Sequence, residues 1–164
     1  LKKAFLGVYL STDEEDLPKT DQKAARYLTQ SQLYLKQALF SNFSLIFAAS
    51  EFGDDVPDFM KDASLRNITV TTKLDLLKSK DREQLLHGFT PDQQALVDYL
   101  VLSKSSEFAG VGHSSFAWNL ALARHFYTKQ KDNELDGPQI FGDALGRIYG
   151  APGGHAEFAA CMWP

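Results

Sequence analysis

The chain has 164 residues, 44% of them hydrophobic and 23% charged, the balance of one globular domain long enough to bury a core. Its net charge of −4, with no basic run longer than Lys2-Lys3, excludes partners held by charge alone, nucleic acid and anionic membrane surfaces among them. No apolar run approaches the roughly 18 residues of a membrane-crossing helix, and the lone cysteine, Cys161, excludes an internal disulfide.

In chain order, residues 4–10 (Ala-Phe-Leu-Gly-Val-Tyr-Leu) read as a buried strand, and residues 11–19 as an acidic loop closed by Pro18. A helix is expected from Asp21 to Phe40, with Ala24, Leu28, Leu35 and Leu39 on its apolar side. The unbroken apolar run at 44–49 has the pattern of a strand covered on both faces. A brief helix fits residues 54–63, despite Pro57 near its start, and the β-branched run 68–72 predicts another strand. Thr90-Pro91-Asp92-Gln93 carries three helix-start signals: a threonine N-cap, proline at the first helical position, and glutamine three residues after the cap. That helix runs through Leu96, Leu100 and Val101 to about residue 104. A strand at 107–111 and a helix at 115–128, with Phe116, Leu120, Ala123 and Tyr127 in helical spacing, come next. Glycine and proline become frequent after Asp136, and an irregular tail is expected over about 136–164.

Four strands alternating with about five helices predict an α/β fold: a single Rossmann-like domain over residues 1–164, its mainly parallel sheet flanked by helices. Ligands of open sheets of this kind sit beyond the carboxyl ends of the strands. Three turns fall there: after Leu10, after Ala49, and at Gly110-Val111-Gly112-His113-Ser114-Ser115. The last leads from a strand into a helix, whose first N–H groups and dipole favour an anion. On spacing alone Ser114 or Ser115 is an ordinary helix cap; location at the ligand end of the sheet moves a phosphate site ahead of that reading.

Other chemistries fit less well. The glycine-rich turn is a partial dinucleotide fingerprint in the wrong place, since the first strand ends in Tyr9-Leu10-Ser11. No Gly-Lys-Ser/Thr occurs, so a P-loop is absent. His113 beside two serines has no third group to orient it as a hydrolytic base. Glu14, Glu15 and Asp16 read as a solvated loop, and no spacing of metal ligands is present. Asp98, between Val97 and Tyr99, is either a solvated helix-surface aspartate or a carboxylate that accepts the paired N–H donors of a guanine edge.

The segment 90–105 (Thr-Pro-Asp-Gln-Gln-Ala-Leu-Val-Asp-Tyr-Leu-Val-Leu-Ser-Lys-Ser), with Phe108-Ala109-Gly110 and Ser114-Ser115-Phe116-Ala117-Trp118-Asn119, resembles the carboxyl-terminal half of GDP-fucose-dependent fucosyltransferases, the fungal O-fucosyltransferase-like group above all. Residues 5–10, 46–50 and 68–73 follow the same pattern in order. The resemblance implies one lobe of a two-lobed GT-B glycosyltransferase. Gly112, His113, Ser114, Ser115 and Phe116 would lie at the donor diphosphate, and Asp98 at guanine. GDP-fucose would be a donor substrate, no cofactor or metal is implied, and retained transfer would be an inverting displacement. Two departures point to weak or absent activity. The family's first strand ends in a His-Leu-Arg-like motif whose arginine grips the diphosphate, and Ser11 stands at that position here. The amino-terminal lobe has no counterpart in these residues, and no residue is assigned a catalytic role.

The alternative is a secreted, non-catalytic binding protein that keeps the fold without the nucleotide, with a protein or glycan partner or self-association through the surface another lobe would cover. Two of the four asparagines, Asn42 and Asn67, begin N-glycosylation sequons, which points to the secretory pathway or the extracellular space. The chain begins with Leu1 rather than Met and shows no signal-peptide pattern, so it is expected to be a processed product or a piece of a longer chain.

Overall fold

A computed structural model describes residues 4–11, 21–50, 53, 55–128 and 139–149. The acidic loop with Glu14, Glu15 and Asp16, the segment 150–164 and Cys161 lie outside the described residues.

Twelve elements follow in order: β1 (Leu6–Leu10), α1 (Asp21–Phe40), β2 (Leu45–Ser50), α2 (Val56–Ser64), β3 (Thr69–Thr71), α3 (Lys73–Leu76), α4 (Ser79–Gly88), α5 (Pro91–Leu102), β4 (Glu107–Val111), α6 (Ser115–His125), β5 (Gln139–Gly142) and β6 (Gly146–Tyr149). The six strands form one sheet in the order β3-β2-β1-β4-β6-β5. Every neighbouring pair is parallel except the closing β5–β6 hairpin. The α/β, Rossmann-like, mainly parallel architecture is thus the one expected. Six strands replace the four expected, because the stretch read as an irregular tail from about 136 contains β5 and β6.

Alternation along the strands sends side chains to two apolar layers. On one face Leu6, Val8, Leu10, Ile46 and Val70 meet Tyr34, Leu35 and Ala38 of α1 and Phe59 and Ala63 of α2. On the other, Phe47, Ala49, Phe108 and Ile148 meet Leu102 of α5 and Ala117, Trp118, Leu120 and Ala121 of α6. α1 presents residues 31, 34, 35 and 38 inward, and Leu39, expected inside, is 53% exposed. Leu35 is buried as expected, the side chains of Ala24 and Leu28 lie outside the described residues, and the stripe that leaves Leu39 outside includes Gln30, Ser31 and Gln37 as buried polar residues. Gln37 is held by Glu107 Oε2 at 2.9 Å and by the Tyr149 hydroxyl at 3.0 Å, and Tyr34 donates to the Tyr9 carbonyl at 2.9 Å.

Two junctions hold α6 to the sheet, one at each end of β4. Gly110 lies where a Cβ would come within 2.5 Å of the Ala117 Cβ, so its bareness lets α6 lie directly on β4. Arg124, on the last turn of α6, donates to the carbonyls of Leu102, Ser103, Ser105, Ser106 and Leu145, tying the end of α5 to the entrance of β4 and to the β5–β6 turn. Among the described residues no helix is long and apolar enough to cross a membrane.

Candidate functional site

β2 and β3 lie on one side of β1 and β4 on the other, so the chain reverses its direction of travel across the sheet between β1 and β4. The loops leaving the two strands there must diverge, and a crevice opens at their carboxyl ends. A cleft of ≈ 610 Å³ occupies that place, within the range of small-molecule sites. It draws residues from the ends of four strands: Ser11 after β1, Ser50 ending β2, Lys73 after β3, and His113 to Ser115 after β4.

Ser11, Asp98, His113, Ser114, Ser115 and Phe116 all line this cleft, so the structure gathers six residues singled out from separate stretches of sequence. Gly112 is not in its lining. Its N–H donates to the Tyr149 carbonyl at 2.8 Å and its carbonyl accepts from Trp118 Nε1 at 2.8 Å, which makes it a buried anchor behind the site. Ser114 is the N-cap of α6, its hydroxyl accepting from the Ala117 N–H at 3.2 Å, so the cap reading is correct for that oxygen. The N–H groups of Ser115 and Phe116, ahead of it in the first turn, have no intrahelical acceptor. Ser115 itself is exposed at the mouth. The cap and an anion site therefore coexist: Ser114 fixes the helix start, and its neighbours keep N–H groups for a ligand.

Phe116 forms an apolar wall. Its ring stacks on Tyr9 at 4.5 Å between centroids and takes the edge of Tyr99 at 5.7 Å, while the Tyr99 hydroxyl donates to Asn119 Oδ1 at 3.0 Å. Ser11 is buried, and its backbone is fixed on both sides. Its N–H donates to Gln30 Oε1 at 3.2 Å, and its carbonyl accepts from Gln30 Nε2 at 2.8 Å. The end of β1 is thus rigid and presents a hydroxyl rather than a cation.

Asp98 is not a solvated surface residue: it is 5% exposed and sits on the inner side of α5. Its Oδ2 accepts from Lys73 Nζ at 2.6 Å. Burial raises the carboxyl's pKa, against the hydrogen bond and charge of Lys73, which lower it. Lys73 was missed as a site residue. It opens α3, which Thr72 and Asp75 start by a capping box, the Asp75 carboxylate accepting the Thr72 N–H at 2.8 Å. The signal was present: a Thr-x-x-Asp cap directly after a β-branched strand puts the intervening lysine at the ligand end of a parallel sheet.

No family model matches this chain, and no curated protein matches its sequence. Among the described residues no group of three or more histidine, cysteine, aspartate or glutamate side chains could hold a metal ion. Among the described residues the cleft offers a ligand N–H groups at the start of α6, a buried carboxylate, an aromatic wall, and one lysine.

Proposed function

We propose that this chain is a nucleotide-sugar-binding lobe of the GDP-fucose-dependent type, weak or inactive in sugar transfer by itself. The observation that carries the reading is the joint presence, in one cleft at the β1/β4 reversal, of the α6 amino end and the buried Asp98. The first suits a diphosphate. The second suits the two adjacent N–H donors of guanine, which a carboxylate accepts as a pair. Phe116 and Tyr9 between them give a sugar or ribose ring an apolar face to lie on.

Charge explains why transfer is weak. Among the described lining residues Lys73 is the one lysine or arginine, and it is paired with Asp98, while Asp92 adds a further carboxylate at the rim. A departing nucleoside diphosphate needs cations or aimed donors at its developing charge, and loss of one such contact commonly lowers the rate by about 10²–10³. Ser11, where the resembled family carries arginine, supplies neither the charge nor the bidentate fork.

Calorimetric titration with GDP and GDP-fucose tests the reading, in parallel on Asp98→Ala and Ser114→Ala/Ser115→Ala. Micromolar binding that both variants lose supports a donor site; no heat at millimolar ligand sinks it. In that case the second reading, a secreted binding protein, takes precedence. Its supporting observation is the pair Leu96 and Leu100, one turn apart on α5 and each 55% exposed. Light scattering that shows self-association of the chain, relieved in Leu96→Ser/Leu100→Ser, would favour it.

A further inference from the structure

The Lys73–Asp98 pair stands between two chambers. One is the 610 Å³ cleft already described; the other is a smaller cavity of ≈ 250 Å³ walled by Ala48, Ala49, Val56, Pro57 and Leu74. Ser50, Lys73 and Asp98 line both. A ligand that extends from one chamber to the other must pass the ion pair.

We infer that Lys73 and Asp98 form an exchangeable pair that selects ligands carrying an N–H donor edge and an anionic group together. The ligand's donor edge takes the place of Lys73 on Asp98, and its phosphate takes the place of Asp98 on Lys73. The identity of the ligand as a purine nucleotide rests on the nucleotide-sugar reading above; the exchange itself rests on the pair and the two chambers.

Burial supplies the selectivity. The Asp98 side chain is 7% exposed and that of Lys73 18%, so removing either partner alone strands a charge in a poorly solvated place. A ligand with only an anion gains Lys73 at the cost of an unpaired Asp98. A ligand with only a donor edge gains Asp98 and strands the ammonium. A ligand with both leaves every charge paired, and it alone loses nothing by opening the bridge. The pair thus requires both groups at once.

Geometry says which partner moves. Asp98 sits in the third turn of α5, whose start is locked by the Thr90–Gln93 capping box. The Lys73 backbone is fixed by the Thr72–Asp75 contacts, but its ammonium is carried on a four-carbon stem of rotatable bonds, and its second contact, to the Gln94 carbonyl, is long at 3.4 Å. The ammonium is therefore the mobile part, with the α6 amino end lining the same cleft. On this account Lys73 is a specificity-determining residue, and a bound diphosphate gains from it one point charge, still without the bidentate fork whose loss at Ser11 leaves transfer weak.

The test titrates GDP, inorganic pyrophosphate and guanosine into the full chain, its Asp98→Asn and Lys73→Gln variants, and the double variant. Asp98→Asn frees the ammonium, so pyrophosphate should bind it roughly tenfold tighter than it binds the unaltered protein, and the double variant should lose that gain. GDP should bind both single variants at least about tenfold more weakly. Equal pyrophosphate affinity for the unaltered protein and Asp98→Asn overturns the exchange, as does a gain that persists without Lys73. The two readings fail separately. An unaltered protein blind to GDP, with the Lys73-dependent pyrophosphate gain intact, removes the nucleotide and keeps the exchange. GDP bound equally with and without Lys73 does the reverse. Should a variant fail to fold, the ¹⁵N resonance of Lys73 Nζ in the unaltered protein decides: it shifts on GDP binding, or the exchange is wrong.

Discussion

Arg124 directs its whole guanidinium at backbone carbonyls, with Nη2 at 2.9 Å from both Ser105 and Leu145 and Nη1 at 3.1 Å from Ser103. Burial lowers its pKa, opposed by the carboxylates of Asp143 and Glu107. Arg124→Ala would leave several buried carbonyls without donors, and we expect urea denaturation to show a loss of about 3 kcal/mol or more. Arg124→Lys should recover little, because one compact ammonium cannot span carbonyls from three segments; full recovery would show that charge alone mattered. Asp98 gives a prediction in pH. Its pKa is raised in the folded chain, so the folded state holds the proton more tightly than the unfolded one. Its contribution is therefore favourable at low pH and declines as pH rises from the ordinary aspartate range through the raised native value. Unfolding free energies measured over that range should show the unaltered protein losing ground to Asp98→Asn as pH increases. A pH-independent difference would mean that the carboxyl binds its proton equally in both states.

Among the elements, the β4–α6 junction depends most on a missing atom. A Cβ at position 110 would sit 2.5 Å from the Ala117 Cβ and 3.1 Å from Phe108 Cζ, contacts that force the helix off the strand. Gly110→Ala should cost about 1–3 kcal/mol and, by displacing the first turn of α6, weaken anion binding as well. The double variant Gly110→Ala/Ala117→Gly should be more stable than the sum of its single changes, a positive coupling that a thermodynamic cycle measures. Strict additivity would show that the strain lies elsewhere. This junction was legible in the sequence because a strand, a glycine and a serine cap follow one another without interruption. The helix start at Thr90 was equally plain, its hydroxyl accepting from Gln93 as the pattern implies. α3 and α4 were not read at all: α3 is four residues with none buried, and α4 buries only Leu85, so neither has an apolar stripe to find. β5 and β6 are four-residue strands whose turn is made by Asp143, with Oδ1 accepting from the N–H groups of Leu145 and Gly146 at 2.7 Å. Such an Asx turn has a sequence signal, but strands this short have too few residues for alternation to show. Lys73 could have been placed at the ligand end by the Thr72-x-x-Asp75 cap, but its pairing could not, since its partner Asp98 is twenty-five positions away.

At the scale of the molecule, a parallel sheet has two unlike ends, and this chain assigns them different work. The cleft lies at the carboxyl ends of β1 to β4. Both sequon asparagines lie at the opposite end, just before β2 and β3, and both are exposed. Each also has a structural reason to be asparagine. Asn42 (φ 57°) and Asn67 (φ 56°) are left-handed residues that close the helices before those strands. The N–H groups of Phe43 and Ile68 then reach back to the carbonyls of Ala38 and Ala63, as in a Schellman motif. Two sequons among four asparagines are thus explained by helix termination, and they carry less weight as a mark of secretion than the sequence alone suggested. Their placement still makes a prediction. If the chain passes through a secretory host, glycans at Asn42 or Asn67 would project away from the cleft, and GDP affinity should be the same with and without them. The sequons are best removed by Ser44→Ala and Thr69→Ala, both at exposed positions, since replacing either asparagine would disturb a left-handed cap. Mass spectrometry would read the occupancy and calorimetry the affinity. A glycoform that binds GDP more weakly than the Ser44→Ala/Thr69→Ala protein would mean that the two ends are not independent, and that the ligand site reaches beyond the carboxyl ends of the strands.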